Sequence, residues 1–100
     1  IGVGWVFSEE MVFENGAVTN PTLLDYKILS TLDMPEVHSI LVEDPDPTGP
    51  FGAKGIGEPA LVPTAAAVAN AIRDAVGVRI QDMPFSPDRV LAALQKTASP

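Results

Sequence analysis

Between residues 44 and 59 the chain reads DPDPTGPFGAKGIGEP, and no regular element can cross it. Pro45, Pro47 and Pro50 fall within six residues. Each lacks an amide donor and fixes φ, so neither a helix nor a β-ladder is sustained there. Residues 44–57 are therefore expected to form a long loop, and loops of that length in compact domains are usually functional or disordered. The fixed proline dihedrals favour an ordered one. At its end Gly52, Gly55, Gly57 and Lys54 surround one carboxylate, Glu58, and Pro59 follows directly.

Elements on either side are read from local chemistry. Val3, Val6 and Phe7 stand at i, i+3 and i+4, which predicts a short helix within 2–10, or the end of a longer one. Asn15-Gly16 between two apolar runs is the sequence of a type I′ hairpin, with strands near 11–14 and 17–19. Asn20-Pro21 breaks that pattern. Leu24, Tyr26 and Ile28 alternate with polar residues and suggest an extended segment; DMP at 33–35 reads as a turn. EVHSILVED is the best candidate for a central strand, near 37–43 and buried on both faces.

After the loop, Pro59 suits a first helical position and Pro63 either kinks the helix or splits off a first turn. The alanine-rich stretch 64–76 has strong helix propensity, Gly77 is a natural C-cap, and Ala65, Val68, Ala69, Ile72 and Val76 form one stripe. VRI at 78–80 could be an edge strand. Ser86-Pro87-Asp88 is a helix start, with Val90, Leu91 and Leu94 on the buried face and a frayed tail over 96–100. These elements predict an α/β (α+β) fold: a small mixed or antiparallel sheet with the 59–76 helix on one face and a second helix at the C-terminus.

Thirteen acidic residues against six basic ones leave the chain at −7. Nucleic acid and anionic membrane surfaces both demand clustered cations, so neither is an expected partner. With no cysteine there is no disulfide, zinc-thiolate site or iron–sulfur cluster, and no apolar run reaches the ~20 residues of a membrane span. One hundred residues suit a single domain. Ile1 opens as if within a structural element, which suggests a piece of a longer polypeptide.

The glycine-rich stretch is not a Walker A loop, because Gly55 rather than serine or threonine follows Lys54. GIGEPA at 55–60 fits a dinucleotide fingerprint in letters only. That motif comes directly off a strand, whereas the best strand here ends about twelve residues earlier, and Glu58 would repel a pyrophosphate. Glu58 itself admits two readings. It can be an acidic residue favoured at a helix N-terminus. Alternatively, glycines without β-carbons let the backbone approach a bulky ligand, and the carboxylate acts as a general base. His38 has no second histidine or cysteine to share a metal and reads as structural. Trp5 and Tyr26 read as core, and Glu9, Glu10, Asp44 and Asp46 as solvated charges.

The stretch GPFGAKGIGEPALVPTAAAVANAIRDAVGVRI resembles the C-terminal part of the molybdenum hydroxylases, the xanthine dehydrogenase/aldehyde oxidase family. GVGWVFSEEMVFENGAVTNPTLLDYKIL, DMPEV and MPFSPDRVLAAL stand in the same order as in the molybdenum-binding subunit, so the resemblance covers essentially the whole chain. G-A-K-G-x-G-E at 52–58 is its most specific motif.

The resemblance implies that residues 1–100 are one segment of a larger molybdopterin-binding domain whose N-terminal remainder is absent. It implies that Glu58 is the base in hydroxylation of an aldehyde or N-heterocyclic carbon, with oxygen derived from water. Gly55 and Gly57 would pass close to a molybdopterin cofactor, in a dinucleotide form. Iron–sulfur clusters and flavin would sit on other domains or subunits, and the location would be cytoplasmic. The expected partners are the rest of the molybdenum subunit and those electron-transfer units, with self-association of the isolated chain and no activity alone.

Overall fold

The computed structural model describes residues 1–98. Its elements are α1 (Gly2–Phe7), β1 (Phe13–Glu14), β2 (Ala17–Val18), α2 (Thr64–Val76) and α3 (Pro87–Ala98), with short 3₁₀ turns at Pro50–Gly52 and Pro59–Leu61. The expected mixture of helices and a small antiparallel sheet is present. β1 and β2 pair with Phe13 opposite Val18 and Glu14 opposite Ala17. Asn15 (φ 49°) and Gly16 (φ 81°) both take the left-handed conformation that a type I′ turn requires. Asn20 secures the base of the hairpin: its Oδ1 accepts from the Val12 amide at 2.8 Å and its Nδ2 donates to the Glu10 carbonyl at 2.6 Å.

The α2 region forms as its prolines dictate. Pro59–Leu61 is a separate 3₁₀ turn and Pro63 caps α2, which ends at Gly77 in the left-handed region (φ 78°) with its amide on the Arg73 carbonyl. Ala65, Val68, Ala69 and Ile72 are half-buried, on the face that also carries Thr64, while Val76 is exposed. α3 starts at Pro87 as expected. Its half-buried face is Arg89, Val90, Ala93 and Leu94, whereas Leu91 points to solvent. The helix continues through 96–98 rather than fraying there, with Thr97 Oγ1 donating to the Ala93 and Leu94 carbonyls; residues 99 and 100 lie outside the described residues.

α1 is the hub. Val6 is fully buried, and with Val78 and Phe85, beside the buried Pro84, it forms the core of the described residues. The Phe85 amide donates to the Val6 carbonyl at 2.7 Å, so a backbone bond runs through this small core. Burying one such side chain contributes about 1.5–3 kcal/mol, so three of them make a slight core. The radius of gyration is 17.9 Å, against about 13 Å for a compact chain of this length.

Five expectations are corrected. Residues 37–43 form no strand: a ladder needs a second strand about 4.8 Å away, and the sheet among the described residues is the β1–β2 hairpin alone. The run is exposed instead, at 70% for Val37 and 85–86% for Ile40, Leu41 and Val42. Residues 22–26 close a turn, with the Asp25 and Tyr26 amides on the Thr22 carbonyl, so Leu24–Ile28 is not a strand. The next turn lies at 31–33 and is closed by Ser30 and Asp33, ahead of Pro35. VRI at 78–80 pairs with nothing as a strand, though Val78 is buried, and Trp5 stands 45% exposed rather than in the core.

Candidate functional site

The proline-rich loop is ordered by its own bonds. The Asp46 carboxylate accepts from the Thr48 amide at 2.8 Å and from its hydroxyl at 2.7 Å, which holds this acid below the usual carboxylate range. The Asp46 amide donates to the Gly52 carbonyl at 3.1 Å, and the Gly49 amide to the Asp46 carbonyl at 3.1 Å. Lys54 and Asp44 form an ion pair across the neck of this loop. Neither Asp44 nor Asp46 is thus merely solvated. Phe51 takes a left-handed φ of 55° with its side chain fully exposed, a conformation that disfavours a bulky residue.

The glycines divide into two kinds. Gly52 has φ 79° and serves the turn, and a Cβ there would come within 2.9 Å of Pro45 Cβ. Gly55 and Gly57 adopt no left-handed φ, and a Cβ on either would meet nothing within 4 Å. Turn geometry and packing within this chain therefore explain Gly52 and leave Gly55 and Gly57 unexplained. What those two provide is bare backbone facing open space, on the approach to Glu58.

Glu58 occupies the N-cap of the Pro59–Leu61 turn (φ −120°, ψ −19°), and its carbonyl accepts from the Leu61 amide at 2.9 Å. Its side chain makes no capping hydrogen bond and is exposed. The α-helix that follows begins only at Thr64, so Glu58 lies ahead of the first turn in which a helix dipole favours an acid most. Instead the residue lines a cleft of about 500 Å³ between the start of α1 and the Pro59–Leu61 turn, with Gly57, Leu61, Thr64, Gly2 and Val3. Glu58 is the ionisable side chain of that lining. A carboxylate beside apolar walls and open backbone can accept a proton from a ligand seated there.

Among the described residues, no group of three or more His, Cys, Asp or Glu side chains could hold a metal ion. The bare backbone at Gly55 and Gly57 is the feature that suits a large planar group. His38 stands in the exposed 37–43 run, 78% exposed, with Nε2 3.5 Å from the Glu36 carboxylate. Among the described residues no helix is long and apolar enough to cross a membrane.

Two acids read as solvated prove to be structural. Glu9 accepts from the Tyr26 hydroxyl at 2.9 Å, and Glu10 accepts from Arg89 at 2.6 Å. Their partners lie 17 and 79 positions away, and nothing in the local spacing of Glu9-Glu10 marks them.

No protein-family model matches the chain. It is 42% identical over 92 residues to the xanthine dehydrogenase molybdenum-binding subunit of Escherichia coli O157:H7, covering 90% of the chain and 12% of that protein. It is 34% identical over 97 residues to the aldehyde oxidoreductase molybdenum-binding subunit PaoC of Escherichia coli K12, covering 94% of the chain and 13% of that subunit. The crystal structure of quinoline 2-oxidoreductase from Pseudomonas putida 86 superposes with a TM-score of 0.82 at 32% identity, over 95% of this chain and 13% of the other. The chain thus spans about an eighth of the length of these relatives, and nearly all of it is accounted for within them.

Proposed function

Because the chain is homologous to a segment of the molybdenum-binding subunits of the xanthine dehydrogenase/aldehyde oxidase family, we propose that it supplies Glu58 as the general base of a molybdenum hydroxylase. The observation that carries this is the pairing of an uncapped, cleft-lining carboxylate with two glycines that nothing within the chain requires. Gly55 and Gly57 present backbone to the molybdopterin, in a dinucleotide form. The cofactor, when bound, supplies the two-electron oxidation of the substrate carbon. Glu58 accepts a proton from the water-derived nucleophile at a carboxylate oxygen. Positioned bases of this kind contribute typically about 10²–10⁴-fold in rate. Val3, Ala60 and Leu61 give the cleft apolar walls beside the carboxylate.

The substrate class is an aldehyde or N-heterocycle. The rest of the molybdenum subunit completes the site, and iron–sulfur and flavin units on other domains or subunits carry the electrons away. The isolated chain is inactive. Replacing Glu58 by Gln in the assembled enzyme tests the assignment: turnover falls at least a hundredfold while molybdenum content holds. Turnover near wild type at full cofactor loading rules the base out. A second reading, a non-catalytic assembly segment, is favoured by the exposed apolar run Val37–Val42. It leaves turnover unchanged in Glu58→Gln.

A further inference from the structure

α1 and α2 meet at a point with no room for a side chain. A Cβ on Gly2 would stand 2.6 Å from Thr64 Oγ1, 2.7 Å from Leu61 Cδ1 and 3.0 Å from Thr64 Cβ, well inside the roughly 3.5–4.0 Å of a normal carbon contact. Gly2 has no left-handed φ to justify glycine, and glycine is a poor helix former. The close approach is what its missing side chain provides. Thr64 is β-branched and opens α2, so it yields little without backbone movement.

The contact leads to Glu58 in two further links. Leu61 ends the 3₁₀ turn that Glu58 caps, and its amide donates to the Glu58 carbonyl at 2.9 Å. Gly2, Leu61, Thr64 and Glu58 also line one cleft.

α1 cannot simply slide away from a new side chain. Its far end is tied by the Phe85 amide to the Val6 carbonyl at 2.7 Å and by the Ser8 hydroxyl to the Lys27 carbonyl at 2.8 Å. Just beyond it, Glu9 and Glu10 hold Tyr26 at 2.9 Å and Arg89 at 2.6 Å. With α1 held, a displacement at Gly2 passes to the turn.

We propose that Gly2 is a positioning residue: its close approach to Thr64 and Leu61 sets where Glu58 stands on the cleft, an inference that rests on the base assignment above. A displacement of about 1 Å of a catalytic group can cost on the order of 10²-fold in rate. In the holoenzyme, Gly2→Ala is expected to lower kcat tenfold or more, with KM and molybdenum content within twofold of wild type. The crystal structure of the variant is expected to show the 58–61 turn displaced.

Leu61→Val and Thr64→Gly remove all three close atoms, so the triple variant is expected to match Leu61→Val/Thr64→Gly in kcat and in the position of Glu58. Wild-type kcat in Gly2→Ala, an unmoved turn, or a triple variant slower than that double variant overturns the inference. If Gly2→Ala alone does not accumulate, the triple variant is still compared with Leu61→Val/Thr64→Gly. Equal rates there support the contact as the route, and a further loss on adding the alanine overturns it. Glu58→Gln is measured in parallel. Full turnover in that variant rejects the base itself, whereas lost turnover there with an unaffected Gly2→Ala rejects only the positioning role.

Discussion

Arg89 donates to the Glu10 carboxylate at 2.6 Å, tying α3 to the segment that follows α1 across 79 positions of sequence. The same guanidinium donates to the Pro84 carbonyl at 3.2 Å. One side chain thus fastens three parts of a chain with a slight core. Both partners of the pair are partly exposed, so its worth is that of a screened ion pair, about 0.2–1 kcal/mol. A double-mutant cycle with Glu10→Gln and Arg89→Met is expected to return a coupling of that size in thermal unfolding, smaller in 1 M salt. No coupling at low salt would show the pair to be incidental.

Tyr26 carries an alkaline signature. Its hydroxyl donates to Glu9, and that bond, helped by burial and by the nearby negative charge, raises the phenol above its usual value. A raised acid stabilises the fold while the phenol is neutral. The contribution is complete below pH about 10 and is lost as pH rises through the elevated folded value. Tyr26→Phe is expected to remove this part of the alkaline decline in stability, read from denaturant midpoints between about pH 8 and 12. An unchanged alkaline slope would contradict it.

Asp88 gives the opposite sign. The Ser86 hydroxyl, then its own backbone amide and Arg89, hold its carboxyl below the ordinary range. A lowered acid stabilises above the unfolded value near 3.9 and loses that contribution as pH falls through the folded one. Ser86→Ala is expected to destabilise α3 at pH 7 and to cost less as the pH falls and Asp88 takes up its proton. An equal loss throughout would mean that the serine acts by packing or by its own cap alone.

Much of the helical and turn structure was legible because it is written in neighbouring residues. Asn15-Gly16 demanded a left-handed turn, Pro63 and Gly77 bounded α2, and Ser86-Pro87-Asp88 began α3. What failed was non-local. Val37–Val42 has the composition of a buried strand, but burial depends on a partner surface that its own letters do not specify. Glu9 and Glu10 looked solvated because Tyr26 and Arg89 are brought to them only by the fold. Lys54, Gly55, Gly57 and Glu58 were legible as a motif. The distinction between the turn glycine, Gly52, and the two unexplained ones required backbone geometry.

The exposed run makes a further expectation. Ile40, Leu41 and Val42 stand 85–86% exposed together, and contiguous apolar surface of this kind marks an interaction face. The isolated chain is expected to self-associate with rising concentration in sedimentation velocity, and Ile40→Lys/Val42→Lys to shift it toward monomer. A wild-type chain that stays monomeric throughout would argue against this face as sticky.

The central claim is that Glu58 is the base. The most direct measurement is the single-turnover rate of substrate oxidation, in the assembled enzyme with the cofactor fully loaded, for wild type and Glu58→Gln. Glutamine keeps the size and reach of the side chain but cannot take the proton. The expected result is a variant rate lower than wild type by at least about 10²-fold. A variant that oxidises substrate at most of the wild-type rate would contradict the claim.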